Sequence, residues 1–292
     1  MTGMPRTNLV MEPTSADSLG EGALGVLEQM AGRLNDLEAR SRQLAADYQH
    51  LDEQFRLAGQ IQQAMLPDSA TALGSVRVHA IYRPLDRISG DIYDIARLDE
   101  TRVGVSLADA AGHGVPAALL TVFIKRLLRG REVVNGSYRI VPSNEILRRL
   151  NRELRETRLA QCPYVTAMHA VYDETSRRLT IARGGMPYPV LMPSCGPPRE
   201  LRSEGGLIGA FDAADFQALH VPLKPGDRVA FFSDGLTALL NGHGTAPLPW
   251  LAQRAEESLE QIVGAIENLA AQTPAAAWHG DDITLIAIRI QN

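Results

Sequence analysis

Five aspartates stand where they could do chemistry. Asp91 lies in "SGDIYD", Asp109 in "SLADAAGHG", Asp234 in "FFSDGLT", and Asp281 and Asp282 in "HGDDITLIAI". Each flanks an apolar run of the kind that forms a core strand. One aspartate in such a place is ordinarily a turn residue or a helix cap. Four such sites are different, because strands that pair also bring their end charges together. Carboxylates gathered at a core rim lose hydration and repel each other, so the arrangement calls for a cation. Hard oxygen donors suit Mg²⁺ or Mn²⁺ and not zinc. Gly90, Gly112, Gly114 and Gly235 would let the backbone come close, so that carbonyls or water complete a coordination shell. Taken alone, the stretch 106–120 could hold a phosphate, hold a metal, or only turn a corner.

Other residues admit two readings each. His113, in the glycine turn after Asp109, could protonate a leaving group or be a polar turn residue. Arg83 and Arg87 precede the first motif and could bind phosphate or be surface charges. Rival phosphate chemistries fail on spacing. The sixth residue after Cys162 is Met168 and after Cys195 is Leu201, so no Cys-x5-Arg loop exists. No G-x4-GK[ST] phosphate loop occurs either.

The elements that must position these residues can be read in outline. The 292-residue chain suits one sizeable domain plus an appendage, or two domains. Residues 1–19 are polar and bear Pro, Ser and Thr, which reads as a disordered tail. Residues 20–67 read as one long helix ended by Pro67. Within it Leu27, Leu34, Tyr48 and Phe55 occupy one heptad seam and Met30, Leu37, Leu44 and Leu51 the other, with Ser41 the break. So narrow a stripe predicts a coiled coil and self-association, most simply a homodimer. Beyond it strands are expected at 76–84, 102–109, 164–173, 177–185, 188–192, 227–235 and 282–290, and helices at 115–130, 143–160 and 250–272. Many strands with helices grouped between them predict an α+β sandwich and not a parallel doubly wound sheet.

Composition excludes some partners and settings. The net charge of −5 argues against a nucleic-acid binder. The local cluster Lys125, Arg126, Arg129 and Arg131 reads as a solvated helix end. No apolar run approaches the roughly 18 residues of a membrane span. Two cysteines are too few for a disulfide framework or a structural zinc site. With no secretory signal in view, a cytoplasmic location is expected.

The ordered set "SGDIYD", "DAAGHGVPAALL", "GGMPYPVLM", "GLIGAF", "SDGLTALLN" and "DDITLIAIRI" resembles the PP2C-like (PPM) metal-dependent protein phosphatases, in their bacterial SpoIIE/RsbU-type branch. The resemblance covers roughly residues 75–290, placing a phosphatase domain over 75–292, and "AGQIQQAMLP" (58–67) is similar to the linker helix that precedes such domains. It implies a PP2C-like β-sandwich flanked by helices and a site with two ions, Mn²⁺ or Mg²⁺. In that site Asp109 would bridge both ions, the Ala110 carbonyl and Asp91 would join the second, and Asp234 would ligate the first. The family's last acidic pattern favours Asp281 as ligand, with Asp282 its neighbour and alternate. Asp109 and Asp91 would then act in catalysis through the activated water.

The resemblance further implies a serine/threonine phosphatase whose substrate is a phosphorylated STAS-domain regulator, with a sensor or activator protein docking on the coiled coil. The helices after Asp109 would carry such a signal to the site. Met186, Leu207 and Ala238 replace residues common in the family, a histidine, a proline and a glutamate respectively. These departures are what a catalytically silent pseudophosphatase scaffold would rest on. A metal-dependent nucleotide phosphodiesterase is the third reading.

Overall fold

The computed structural model describes residues 16–134, 136–157, 164–274 and 280–292. The chain divides into two units, residues 1–54 and 55–292. Residues 1–15 of the expected tail, and Cys162, lie outside the described residues. Helix α1 runs over Ala16–Ala64. In the first unit its seam residues Leu27, Met30, Leu34, Leu37, Leu44, Tyr48 and Leu51 are between 47% and 66% exposed, an apolar row that none of the described residues of its unit covers.

The second unit is a sandwich of two antiparallel sheets. One sheet is ordered β1 (Ala70–Leu73), β2 (Val76–Arg83), β13 (Ile283–Ile290), β12 (Arg228–Phe232), β9 (Val190–Met192) and β10 (Arg199–Glu200). The other is ordered β11 (Leu219–Pro222), β8 (Arg178–Gly184), β7 (Val165–Asp173), β4 (Arg102–Ala110) and β3 (Asp91–Arg97). Side chains alternate between the two faces of a strand. Tyr93, Val105, Leu107, Met168 and Ile181 from one sheet therefore meet Val78, Val229, Phe231, Ile286 and Ile288 from the other in the shared core.

Helices cover the outer faces. Over Ile92, Ala108, Ala167 and Ala182 lie α2 (Val115–Leu127) and α3 (Ser143–Glu156), through Ile124, Ile146, Leu147 and Leu150. Over Ile81, Ala230, Phe232 and Leu285 lie α4 (Asp234–Gly242), α5 (Pro247–Ala252) and α6 (Leu259–Gln272), through Leu236, Leu239, Trp250, Ile262 and Ile266. With both faces covered, the central strands are apolar on both sides, which is why they read as continuous runs. This is the α+β sandwich with flanking helices that the sequence predicts.

Several boundaries differ. The run expected as a strand over 227–235 stops at Phe232, and Asp234 opens α4 instead of ending a strand. Ser233 is its N-cap, and an acidic residue is favoured in a first helical turn. The single helix expected over 250–272 is two. Between them Ser258 restarts the helix with a capping box, its Oγ accepting from Gln261 N at 3.3 Å while Gln261 Oε1 accepts from Ser258 N at 2.8 Å. Strands β1, β3, β10 and β11, and the hairpin of β5 (Arg131–Val134) and β6 (Ser137–Ile140), are additions to the expected set.

Candidate metal centre

Strand alternation decides where the acidic residues point. Asp91 opens β3 on the same face as Tyr93 and Ile95, and Asp109 lies near the end of β4 on the same face as Val105 and Leu107. Both therefore face the interior of the sandwich at one of its ends. They are direct register partners across the β3–β4 ladder, and Thr166 of β7 pairs with Asp109 on its other side. Thr166 Oγ1 is 3.4 Å from Asp109 Oδ2. From the opposite sheet Thr284, on the face of Ile286 and Ile288, donates its Oγ1 hydrogen to Asp91 Oδ2 at 2.6 Å.

The remaining carboxylates come from the β12–α4 and pre-β13 segments, which the β12–β13 pairing brings side by side. A Cβ at position 235 would overlap the Asp282 carbonyl oxygen, so only glycine lets α4 begin against residues 281–282. Ser233 Oγ accepts from Thr284 N at 3.0 Å and donates to Asp282 O at 3.3 Å, fixing the same junction. The two adjacent aspartates are engaged differently. Asp282 accepts from Leu85 N at 2.7 Å and from Gly90 N at 2.6 Å, clasping the loop that leads into Asp91. Asp281 is exposed and, among the described residues, accepts only from the backbone N of Asp282, at 2.8 Å.

Asp91 is held by a further chain of contacts. Its N–H donates to Ser89 Oγ at 3.0 Å. Ser89 N in turn donates to Oε1 of buried Gln62, and Gln62 Nε2 donates to Ser89 O and to Thr121 Oγ1 of α2. Gly59 permits this docking, because a Cβ there would overlap the Arg87 carbonyl oxygen. Ala110 N donates to Gly90 O at 2.9 Å, and a Cβ at Gly90 would come to 3.0 Å from the Ala110 carbonyl oxygen. Gly112 and Gly114 have φ of 100° and 74°, left-handed backbone that favours glycine, and His113 between them is exposed. Arg83 is exposed at the end of β2, opposite Ile283 in register, and Arg87 is exposed in the clasped loop.

A family model described as Stage II sporulation protein E (SpoIIE) matches residues 99–291, more than half of the chain. The chain belongs to the SpoIIE family. Among curated proteins it is similar to phosphoserine phosphatase RsbU of Bacillus subtilis (strain 168), 26% identical over 246 residues that cover 82% of this chain and 71% of that one. Among solved structures it is similar to the SiaA-PP2C domain of Pseudomonas aeruginosa, at TM-score 0.71 and 24% identity over 85% of this chain and 100% of that one. It is also similar to RsbX in complex with magnesium, at TM-score 0.55 and 18% identity over 76% and 98% of the two chains. These likenesses show a PP2C fold.

The electrostatics of this SpoIIE-family site are those of carboxylates short of a counter-charge. Burial holds Asp109 up at about 7, with the charges of Asp234, Asp281 and Asp282 adding to the shift. Burial also raises Asp91 well above the usual carboxylate range, reinforced by Asp109, while the hydrogen bond from Thr284 opposes the rise. Asp281 is raised by burial and by Asp234 and Asp282. Among the described residues no three Asp, Glu, His or Cys side chains close around one point. Such a closed cage is not what Mg²⁺ requires, since it keeps several waters and takes one or two carboxylates. The donor set here, hard oxygens with raised affinity for positive charge and a carbonyl at Ala110 kept clear by Gly90, fits a hydrated divalent ion.

Sequence reasoning missed Thr284, Ser233, Ser89, Thr166 and Gln62. Only Thr284 carried a signal, as the hydroxyl residue of "DDIT". The departures are details of packing. Met186 is fully buried with its Sδ 3.6 Å from Thr166 Oγ1, and Leu207 packs over Gly185. Ala238, within α4, is partly buried against the core that α4, α5 and α6 cover. None displaces a carboxylate.

Proposed function

We propose that the chain is a metal-dependent protein serine/threonine phosphatase that acts on a phosphoserine or phosphothreonine of a STAS-domain regulatory protein. One observation carries this reading. Inward-facing Asp91 and Asp109, register partners in one sheet, meet Thr284 of the other at the end where Asp234, Asp281 and Asp282 lie. The phosphoserine phosphatase activity of RsbU and the magnesium bound by RsbX support it.

Asp109, the Ala110 carbonyl, Asp91, Asp234 and Asp281 would hold two divalent ions, Mn²⁺ or Mg²⁺. When bound, such ions supply Lewis-acid activation of water and neutralise phosphate oxygens, so that no covalent phosphoenzyme is needed. The protein's own groups fix the geometry. Thr284 orients Asp91, Asp282 clasps residues 85–90, and Gly235 sets Asp234 beside residue 281. Arg83 and Arg87, exposed at the same end, would meet the phosphate, and His113 would deliver a proton to the serine oxygen as it leaves.

The exposed seam of α1 would pair with a second copy to give a homodimer and offer a docking surface for a sensor protein. Gln62, bonded to Ser89 and to Thr121, gives such a partner a route to Asp91 and to α2. No helix among the described residues is long and apolar enough to cross a membrane. The cytoplasmic setting is part of the proposal and rests on cysteine usage.

The deciding experiment supplies a phosphoserine STAS-domain protein with Mn²⁺, with Mn²⁺ plus chelator, and with Asp109→Ala. Phosphate release should need both the metal and Asp109. Release that survives chelation or the substitution would overturn the mechanism. A folded, metal-loaded protein that releases nothing would leave the chain a scaffold.

A further inference from the structure

The backbone of Asp91 is held by side chains where most strand residues are held by a neighbouring strand. Ala110 N donates to Gly90 O at 2.9 Å, which marks 90 and 110 as a pair whose polar groups face each other across the β3–β4 ladder. Bonded and non-bonded pairs alternate along an antiparallel ladder. Asp91 and Asp109 are therefore a non-bonded pair, with the N–H and C=O of Asp91 turned away from β4. Strand β3 is the last of its sheet, so among the described residues no further strand receives those groups. Ser89 Oγ accepts from the N–H at 3.0 Å, and Tyr82 donates its hydroxyl hydrogen to the carbonyl at 3.3 Å. Tyr93, two residues on, repeats the pattern, since its carbonyl accepts from Lys125 Nζ at 3.3 Å. A buried backbone group needs such a partner.

The Tyr82 contact crosses the sandwich. Tyr82 is the register partner of Thr284 on the inner face of the other sheet. Packed sheets stand about 10 Å apart, too far for one backbone to reach the other, and a tyrosine side chain spans that gap. Its ring is set by packing, half-buried with its centroid 6.1 Å from that of Tyr93. The Ser89 side chain hydrogen-bonds to the phenol, and the charges of Asp91 and Asp282 both act on it. Tyr82 and Thr284 thus grip one residue from the same rung, Tyr82 by the main chain and Thr284 by the carboxylate. The first residue of an edge strand is where local opening is easiest, and an Asp91 that frays is no longer opposite Asp109.

We propose that Tyr82 is a positioning residue of the metal centre, holding the Asp91 carbonyl, with Ser89 on the N–H, so that the Asp91 carboxylate stays opposite Asp109. This role presupposes the metal centre proposed above, and Tyr82 acts on it through Asp91.

Calorimetry on the full chain tests this, with Mn²⁺ alone as the probe. Tyr82→Phe keeps the ring and removes the donor. It should weaken manganese binding about tenfold, the lower end for groups that orient a metal ligand, while near-UV circular dichroism stays that of the wild type. In an Asp91→Asn background the same substitution should change affinity by less than about twofold, because residues that act through one another are not additive. Ser89→Ala, which releases the Asp91 N–H, should weaken binding by a similar factor and decides the matter if Tyr82→Phe does not fold. Wild-type affinity in folded Tyr82→Phe or, failing that, in Ser89→Ala would overturn the proposal. So would a loss of the same size in the Asp91→Asn background. A wild-type chain that binds no manganese would instead remove the metal centre itself, and this role with it.

Discussion

Thr284 Oγ1 holds Asp91 Oδ2 at 2.6 Å, joining the two sheets of the sandwich at the end where the carboxylates gather. The contact is the largest influence opposing the rise that burial and Asp109 impose on Asp91. Thr284→Val keeps the shape and removes the donor. The fold should persist with a loss of about 1–3 kcal/mol, and Mn²⁺ affinity should fall about 10–100-fold, as for other groups that orient a metal ligand. Denaturant melts and a manganese titration check both, and unchanged affinity would remove Asp91 from the metal site.

Asp281 and Asp282 are neighbours with separable roles. Asp282 is spent on Leu85 N and Gly90 N, so Asp282→Ala should free the loop and cost about 1–3 kcal/mol of stability. Among the described residues Asp281→Ala breaks only a hydrogen bond to the next residue, so stability should hold while metal binding drops. Thermal denaturation alongside a metal titration of each variant distinguishes them. Stability loss confined to Asp281→Ala would reverse the assignment.

Much of this site is legible in the amino-acid sequence, and the illegible part is long-range. The acidic residues and their glycines stand out because aspartate at the rim of an apolar strand is costly without a purpose. Which aspartate faces which depends on the β3–β4 register and on β13 lying beside β2 and β12, pairings no local pattern encodes. Strand β3 is hard to read because it is covered on both sides and carries Asp94, made tolerable by Lys125 from α2. Helix α4 is hidden by the apolar run of β12 feeding straight into it, with Gly235 in its first turn. The break before α6 is readable after all, since Ser258 and Gln261 form a capping box three residues apart.

Gly235 should tolerate no side chain. A Cβ there overlaps the backbone carbonyl of Asp282, which cannot swing aside as a flexible side chain can. Gly235→Ala should therefore shift α4, cost about 1–3 kcal/mol, and separate Asp234 from residue 281. Loss of manganese binding with far-UV circular dichroism preserved is the expected signature. A variant with wild-type affinity would show that Asp234 is not placed by this contact.

The metal-free protein should be strained by its own charge. Asp109 sits at about 7 in the folded chain against about 4 when unfolded, so the folded state holds this proton more tightly. The folded state therefore loses stability as pH rises from about 4 through 7, where the unfolded chain has already given up the proton. His169, pushed down to about 4, works in the opposite sense over an overlapping range, so the wild-type profile alone is not diagnostic. Asp109→Asn isolates the effect. In chelator it should raise the thermal midpoint at pH 8 by the equivalent of about 1–3 kcal/mol, with the gain vanishing towards pH 4. Saturating Mg²⁺ should stabilise the wild type and not the variant. An equal gain at both pH values would mean that the buried charge of Asp109 is not the cause.

The exposed heptad row of α1 makes the last prediction. Leu34 and Leu44 are 60% and 58% exposed, on a helix that has no other described element of the first unit to pack against. Large apolar rows of this kind mark an interaction surface, and a partner copy would supply matching knobs and holes. The chain should sediment as a dimer at micromolar concentration, and Leu34→Glu with Leu44→Glu should make it monomeric. Because the substitutions lie outside residues 55–292, the thermal midpoint of the phosphatase unit should not move. A dimer that survives both charges would place self-association on another surface and leave the seam to a different protein.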